Sequence, residues 1–283
     1  MDPPLPSLTS VWHNGAYPAI SPSRPELSAA GKTVIITGAG SGIGRAAAQA
    51  FDSAGAARIV LIGRNKENLE ATKATLKCHT SIHSADVRDE KAITSLAAMT
   101  GTWDVMILGA AYISELVSIK ESFVDDWWRT LEVNLKGIMI TSHAFLPTAN
   151  PTHAAIVGFT SAAAFTAARP SNLSSYVTSK LAIIKFIEFL AVENTNLFAA
   201  AMHPGFIETS TFNDSGADAS QLPMDSIEMP ANFLVWLTSP EGSFLNGRSV
   251  WANWDVDELK AKAEDIQSGN LLTSGVHGWP FTP

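Results

Sequence analysis

From Lys32 onward, short apolar runs alternate with helix-length segments. Thr33–Thr37, Arg58–Ile62, His79–Ser84, Val105–Leu108, Ala154–Phe159, Leu197–Met202 and Ser249–Trp251 read as strands, several of them apolar at nearly every position. Runs without polar alternation suit a sheet buried on both faces. Gly42–Ala54, Lys66–Leu76, Trp127–Phe145, Ser174–Glu193 and Pro230–Leu237 read as helices. This order predicts βαβ units in one Rossmann-type, doubly wound parallel sheet of about seven strands, α/β in class, with helices on both faces. No repeat of 20–50 residues is visible.

The two ends read differently. Residues 1–31 are rich in Pro and Ser and carry Trp12 and Tyr17. They predict an extended arm, held on the body because burying aromatic surface is favourable. The α/β domain spans residues 32–254. Beyond it, Asp255-Val-Asp-Glu258 has helix N-cap chemistry and predicts a short helix to Gln267. The closing stretch from Gly269 to Pro283 carries Leu271, Leu272, Val276, Trp279 and Phe281 and is expected to fold back.

Apolar residues make up 46% and charged residues 16%, which permits a large core and excludes global disorder. A net charge of −8 with no basic stripe argues against a nucleic-acid partner. Cys78 is the single cysteine, so an intrachain disulfide and a cysteine zinc site are excluded; its apolar flanks predict a buried strand position. His143 and His153 lack metal-ligand spacing, and no metal is expected. The opening Met-Asp-Pro-Pro is unlike a secretory signal, and no apolar run reaches membrane-spanning length, so a cytoplasmic protein without a membrane partner is expected.

Two features carry chemistry. Thr37-Gly-Ala-Gly-Ser-Gly-Ile-Gly44 places Gly38, Ser41, Gly42, Ile43 and Gly44 where the first strand meets the first helix. Helix N-terminal N–H groups hold phosphates there, and glycine permits close backbone approach. At the end of the second strand, Leu61-Ile62-Gly63-Arg64-Asn65 lacks the acid that would bind a ribose hydroxyl. Arg64 instead offers a guanidinium for a 2′-phosphate, with Arg45 a weaker candidate, so the expected cofactor is NADP(H). Downstream, Tyr176 and Lys180 stand four positions apart and share a helix face. An ammonium beside a phenol is expected to lower its pKa and fit it for acid–base work.

In this order the features resemble the short-chain dehydrogenase/reductase family, over about Lys32 to Trp254. The resemblance implies that Asp86 and Val87 contact adenine. Asn134, in Glu132-Val-Asn-Leu-Lys-Gly137, corresponds to the active-site asparagine that positions a water linked to the lysine. Ser161 corresponds to the serine that holds the substrate oxygen, with Thr160 a fallback hydroxyl. Tyr176 is then the proton donor, and Lys180 binds the nicotinamide ribose. Pro204, Gly205, Ile207 and Thr209 resemble the loop over the nicotinamide carboxamide. Two departures stand out. The family's Asn-Asn-Ala-Gly is here Leu108-Gly109-Ala110-Ala111, which removes amides that brace the sheet and puts contacts near Ala110 in doubt. Ser161 also precedes Tyr176 by more residues than is common, so the intervening loop, 162–175, should reshape the pocket wall.

His203, before Pro204, reads as structural, though it could face substrate. Asp125-Asp126 read as a helix N-terminus, and Trp127-Trp128 as packing residues. The long segment 206–229 predicts a lid; its Phe212, Leu222 and Met224, with Phe165, predict a pocket for an apolar small molecule. The resemblance implies a homodimer or homotetramer paired through the helices at 127–145 and 174–193, and their surplus apolar residues support it. The expected activity interconverts a ketone and a secondary alcohol, on something like a secondary-metabolite intermediate. A non-redox isomerase or cyclase that keeps the cofactor, and a nucleotide-sensing binding protein, are the alternatives.

Overall fold

The seven strands are all parallel, in the order β3-β2-β1-β4-β5-β6-β7. They are β1 Thr33–Thr37, β2 Arg58–Gly63, β3 His79–Ser84, β4 Val105–Leu108, β5 Ala154–Phe159, β6 Leu197–His203 and β7 Arg248–Trp251. This computed structural model describes residues 3–165, 171–216 and 218–275. Alternate residues of each strand point to opposite faces. Val34 and Ile36 therefore join one core layer and Ile35 the other.

Helices α1 Gly42–Ser53, α2 Lys66–Lys73 and, later in the chain, α8 Glu228–Leu237 contribute to the first layer, where Ala47, Ala48 and Phe51 meet Phe233, Leu234 and Leu237. The second layer takes α3 Glu90–Thr100, α5 Gly137–Phe145 and α6 Ser174–Glu193, with Leu96, Ile140, Ile183 and Ile187 packed on the strands. Between α3 and α5 runs α4, Val124–Leu131. A short helix α7, Ser210–Asp214, follows β6. The chain crosses from one side of β1 to the other between β3 and β4, which opens a crevice at the carboxyl ends of β1 and β4.

Three elements differ from expectation. The single helix expected over 127–145 starts at Val124 and is interrupted by a π-turn at Glu132–Lys136, so that it becomes α4 and α5. Helix α3, unassigned from sequence, starts at Asp89, whose side chain accepts from Ala92 N, and ends at Gly101 with φ +74°. Cys78 lies one residue before β3 and is half-buried.

The arm lies along the end of the sheet. Trp12 is 2% exposed and bridges Trp254, and the Tyr17 hydroxyl donates to the Trp254 carbonyl at 3.2 Å. Glu258, in α9 Val256–Ala261, accepts from Ser10 N and Oγ. Helix α10, Ala263–Ser268, follows, and Leu272 O then accepts from Ser249 N of β7 at 2.9 Å. Val276, Trp279 and Phe281 lie outside the described residues. No helix among the described residues is long and apolar enough to cross a membrane.

Candidate active site

The glycine turn sits at the mouth of the crevice. A Cβ on Gly44 would lie 2.3 Å from the Gly38 carbonyl oxygen, so only glycine lets α1 start against the end of β1. Gly38 has φ +69°, and a Cβ there would meet Gly109 backbone at 2.7 Å. No side chain caps α1 at Ser41, which leaves the first-turn N–H groups open to an anion. Thr209, from the loop after β6, approaches to 3.1 Å of where a Gly42 Cβ would stand. A nucleotide diphosphate fits this cradle; side chains would fill it.

Thr37 answers the missing amides. Its hydroxyl accepts from Gly109 N at 3.0 Å and Ala110 N at 3.2 Å, and so ties β1 to the segment after β4. The brace has moved from an amide to a hydroxyl, and Ala110 keeps its place on the cavity wall.

Arg64, Asp86 and Val87 line the same cavity beyond the turn. Arg45 is committed elsewhere, to Thr72 Oγ1 at 3.0 Å and the Gly40 carbonyl at 2.6 Å. Arg64 is therefore the guanidinium at this end of the cavity. Asp86 is gripped by Arg88 at 2.8 Å, whose hydrogen bonds hold its carboxyl below the usual range.

Ser161, Tyr176 and Lys180 converge on the cavity. Ser161 follows β5 in extended backbone, and its side chain acts on the Tyr176 hydroxyl, pulling its pKa down. Thr160 is turned the other way, donating to the Lys180 carbonyl at 3.0 Å, so Ser161 is the available hydroxyl. Lys180 is buried; its Nζ donates to the Phe159 carbonyl at 2.8 Å and stands 5.4 Å from the Tyr176 ring centroid.

The expected lowering of the phenol pKa is not found. Burial pushes Tyr176 up to about 12, against a smaller opposite pull from the Ser161 side chain. Burial also pushes Lys180 down to about 8. Helical spacing puts the pair on one face but says nothing of desolvation, which here sets the direction for both groups.

Asn134 does not line the cavity. Its Oδ1 accepts from Tyr112 N at 2.8 Å, and its Nδ2 donates to Tyr112 O at 2.9 Å and Ser179 Oγ at 3.0 Å. Ser179 in turn donates to the Tyr176 carbonyl at 2.7 Å. The amide thus clasps α6 beneath Tyr176: both Nδ2 hydrogens are committed there, and Oδ1 keeps one acceptor position.

The family model for short chain dehydrogenases matches residues 32–220. The chain belongs to that family. It is 34% identical to short chain dehydrogenase citE of Monascus ruber over 94% of this chain and 97% of the relative. It is 30% identical to short chain dehydrogenase/reductase AacuD of Aspergillus aculeatus, covering 95% and 96%. Among solved structures it resembles 3-oxoacyl-[acyl-carrier protein] reductase from Brucella melitensis, with TM-score 0.72, 26% identity and coverage of 84% and 96%. It is an oxidoreductase fold of nicotinamide-cofactor type.

In this short chain dehydrogenase the cradle and the side holding Ser161, Tyr176 and Lys180 open into one cavity of about 1040 Å³. Pro204, Gly205, Ile207 and Thr209 form its roof, and Phe212 and Leu222 reach it from the lid segment. Met224 instead pairs with Phe206 in a short bridge, and Phe165 packs edge-on against Trp251 at 5.5 Å. Residues 166–170 of the long loop lie outside the described residues; Ala162, Ala163 and Leu173 from its two ends line the wall. Sequence reasoning missed Leu5, Pro6 and Trp251, which also line the cavity. Their only sequence signal is apolar character in segments already marked as arm and last strand.

His203 of the dehydrogenase is buried, and its Nδ1 accepts from Ala162 N at 3.1 Å. Burial lowers its pKa to about 3, so the ring is neutral. It anchors the peptide that follows Ser161.

Proposed function

We propose that this dehydrogenase reduces a ketone on a mostly apolar small molecule to a secondary alcohol, with NADP(H). The convergence of Ser161, Tyr176 and Lys180 on the cavity that begins at the glycine turn carries the reading. The bound cofactor supplies hydride to the carbonyl carbon. The Ser161 hydroxyl holds the carbonyl oxygen, and the Tyr176 phenol gives its proton to that oxygen. A phenol pushed up to about 12 stays protonated at neutral pH, the form that can donate to a carbonyl oxygen. Lys180, cationic below about pH 8, would hold the nicotinamide ribose of a bound cofactor and balance the charge of the phenol as it loses its proton. Asn134 and Ser179 fix α6 so that Tyr176 keeps its angle.

Arg64 supports NADP(H) over NAD(H), since a guanidinium forks onto a phosphate. The apolar Phe212, Leu222, Leu173 and Trp251 support an apolar substrate, in keeping with a secondary-metabolite intermediate. We further propose a homo-oligomer. Met139, Phe186, Phe189 and Leu190 line a surface groove between α5 and α6, and Phe189 is 57% exposed. A second copy covering that groove would bury it.

The test is a steady-state assay of apolar ketones with NADPH. Cofactor oxidation matched by alcohol formation is expected. Tyr176→Phe should lower kcat by about 10²–10⁴ while leaving cofactor affinity in place. Product formed without cofactor oxidation, or full activity in Tyr176→Phe, refutes the reading.

A further inference from the structure

The N-terminal arm has two parts, held in different ways. Residues 9–17 are riveted to the chain after β7 and to the end of the lid segment. Thr9 Oγ1 accepts from Asp255 N at 3.3 Å, His13 N donates to the Asn253 carbonyl at 2.9 Å, and Ser226 N donates to the Asn14 carbonyl at 2.8 Å. Ahead of Thr9 this bonding stops. Among the described residues no hydrogen bond joins residues 3–8 to the body, and Ser7 bonds to Thr9 within the arm. Packing holds the tip instead: Leu5 and Leu8 lie against the first core layer, and Leu5 and Pro6 line the cavity. Leu5 is half-buried and Pro6 exposed, so both have surface to offer an occupant. Pro3, Pro4 and Pro6 carry no N–H, which suits a backbone lying on apolar surface.

The sheet order says which end of the cavity the tip closes. Ser161 follows β5, and Trp251 ends β7 two strand spacings away, about 10 Å. The glycine turn after β1 is four spacings from β7, about 19 Å. Leu5 stands four residues from Thr9, whose partner Asp255 lies just past β7, and such a stretch reaches at most about 14 Å. The tip therefore belongs to the β6–β7 end, beyond the reacting groups and away from the nucleotide cradle. Charged residues on the cavity wall are Arg64, Glu67 and Asp86 near the ends of β2 and β3, and Lys180 near Tyr176. The far end has none; there Phe206, Leu222 and Trp251 share the wall with Leu5 and Pro6.

We infer that Leu5 and Pro6 are specificity-determining residues, a wall that selects a neutral ketone long enough to run about 10 Å from Ser161 to the β7 end. This rests on the ketone-reductase reading and deepens it: the substrate is an elongated or fused-ring apolar molecule, not a short one. A short ketone would leave the apolar faces of Leu5 and Pro6 uncovered, whereas a long one buries them. The wall is placed together with the lid, because Asp225 accepts from both Asn14 of the arm and Phe206 N. The two sides that enclose the far part of the substrate thus share one anchor.

The experiment measures dissociation constants of 4-n-alkylacetophenones, from methyl to hexyl, on the full-length protein saturated with NADP+ or NAD+. The hexyl compound should bind at least about tenfold more tightly than the methyl one, as its tail reaches the arm. Leu5→Ala should cut that hexyl-to-methyl preference about fivefold, and Leu5→Asp, which sets a charge in the apolar end, more than about tenfold. If Leu5→Asp does not fold, Leu5→Ala decides. No gain with tail length, no binding by any of the ketones, or an unchanged preference in Leu5→Ala overturns the wall. A tip that merely stabilised the fold would lower Tm and leave the preference as it was, and that result overturns it too. Turnover is a separate arm: a tail preference that depends on Leu5 without reduction keeps the wall and removes the reductase reading.

Discussion

Asn14 donates a 2.7 Å hydrogen bond to Asp225, so the N-terminal arm grips the far end of the lid segment. The same carboxylate accepts from Phe206 N at 2.7 Å and Asn253 Nδ2 at 2.9 Å, and burial raises its pKa. One acid thus joins the arm, the lid and the turn after β7. Asn14→Ala should cost about 1–2 kcal/mol, because a partly buried carboxylate loses a donor. The loss should shrink in acid, where the carboxyl is protonated and needs fewer donors. Thermal melts at neutral pH and near pH 4 check this, and a raised KM for the ketone should accompany the neutral-pH loss.

Lys180 predicts a stability profile of a definite sign. Its folded value, about 8, lies below its ordinary 10.5, so the unfolded chain binds more protons between them. Stability should therefore rise with pH across that window, and the full penalty, roughly 3 kcal/mol at most, is present below it. Lys180→Met removes the penalty and forfeits the bond to Phe159. The expected outcome is an inactive protein whose Tm at pH 7 is a few °C higher, a gain that fades by pH 10. A Tm that falls at pH 7 would show that the ammonium stabilises the fold.

Arg64 lines the cavity just after β2, whereas Arg45 is bound to Thr72 and Gly40. Arg64→Asp should lower kcat/KM with NADPH about 100-fold relative to NADH, as charge-assisted bonds to a phosphate give way to repulsion. Unchanged cofactor preference would place the discrimination elsewhere.

Phe189 and Met139 are 57% and 50% exposed on facing helices. Phe189→Glu should yield a monomer by size-exclusion chromatography with light scattering, with cofactor binding intact. An unaltered mass would assign the interface to another face.

The strands were legible because a parallel sheet buried on both sides writes itself as unbroken apolar runs, as in Ile59–Ile62 and Ala154–Val157. The glycine turn was legible because backbone contacts such as Gly44 against Gly38 admit no other residue. Helix α3 was legible as well: an Asp89 cap, buried Ile93, Leu96, Ala97 and Thr100 at helical spacing, and a terminal Gly101 all mark it. Three things had no local signature. The π-turn at Glu132–Lys136 leaves residue types unchanged while shifting their direction. Leu5 and Pro6 reach the cavity from the opposite end of the chain from Trp251. The ionisation of Tyr176 and Lys180 depends on how deeply they are buried, and spacing carries no depth.

The wide turn at Glu132–Lys136 carries one residue more than a regular helix needs, which re-phases the two halves of the rod by about 100°. Upstream, the Trp127 indole reaches Ser174 at 3.0 Å; downstream, Ile138, Ile140 and Phe145 enter the sheet layer. Asn134 stands at the offset, where its carboxamide clasps two other parts of the chain. Orientation of the proton donor and docking of the rod are therefore geared together, and shortening the rod by a single residue would disengage both.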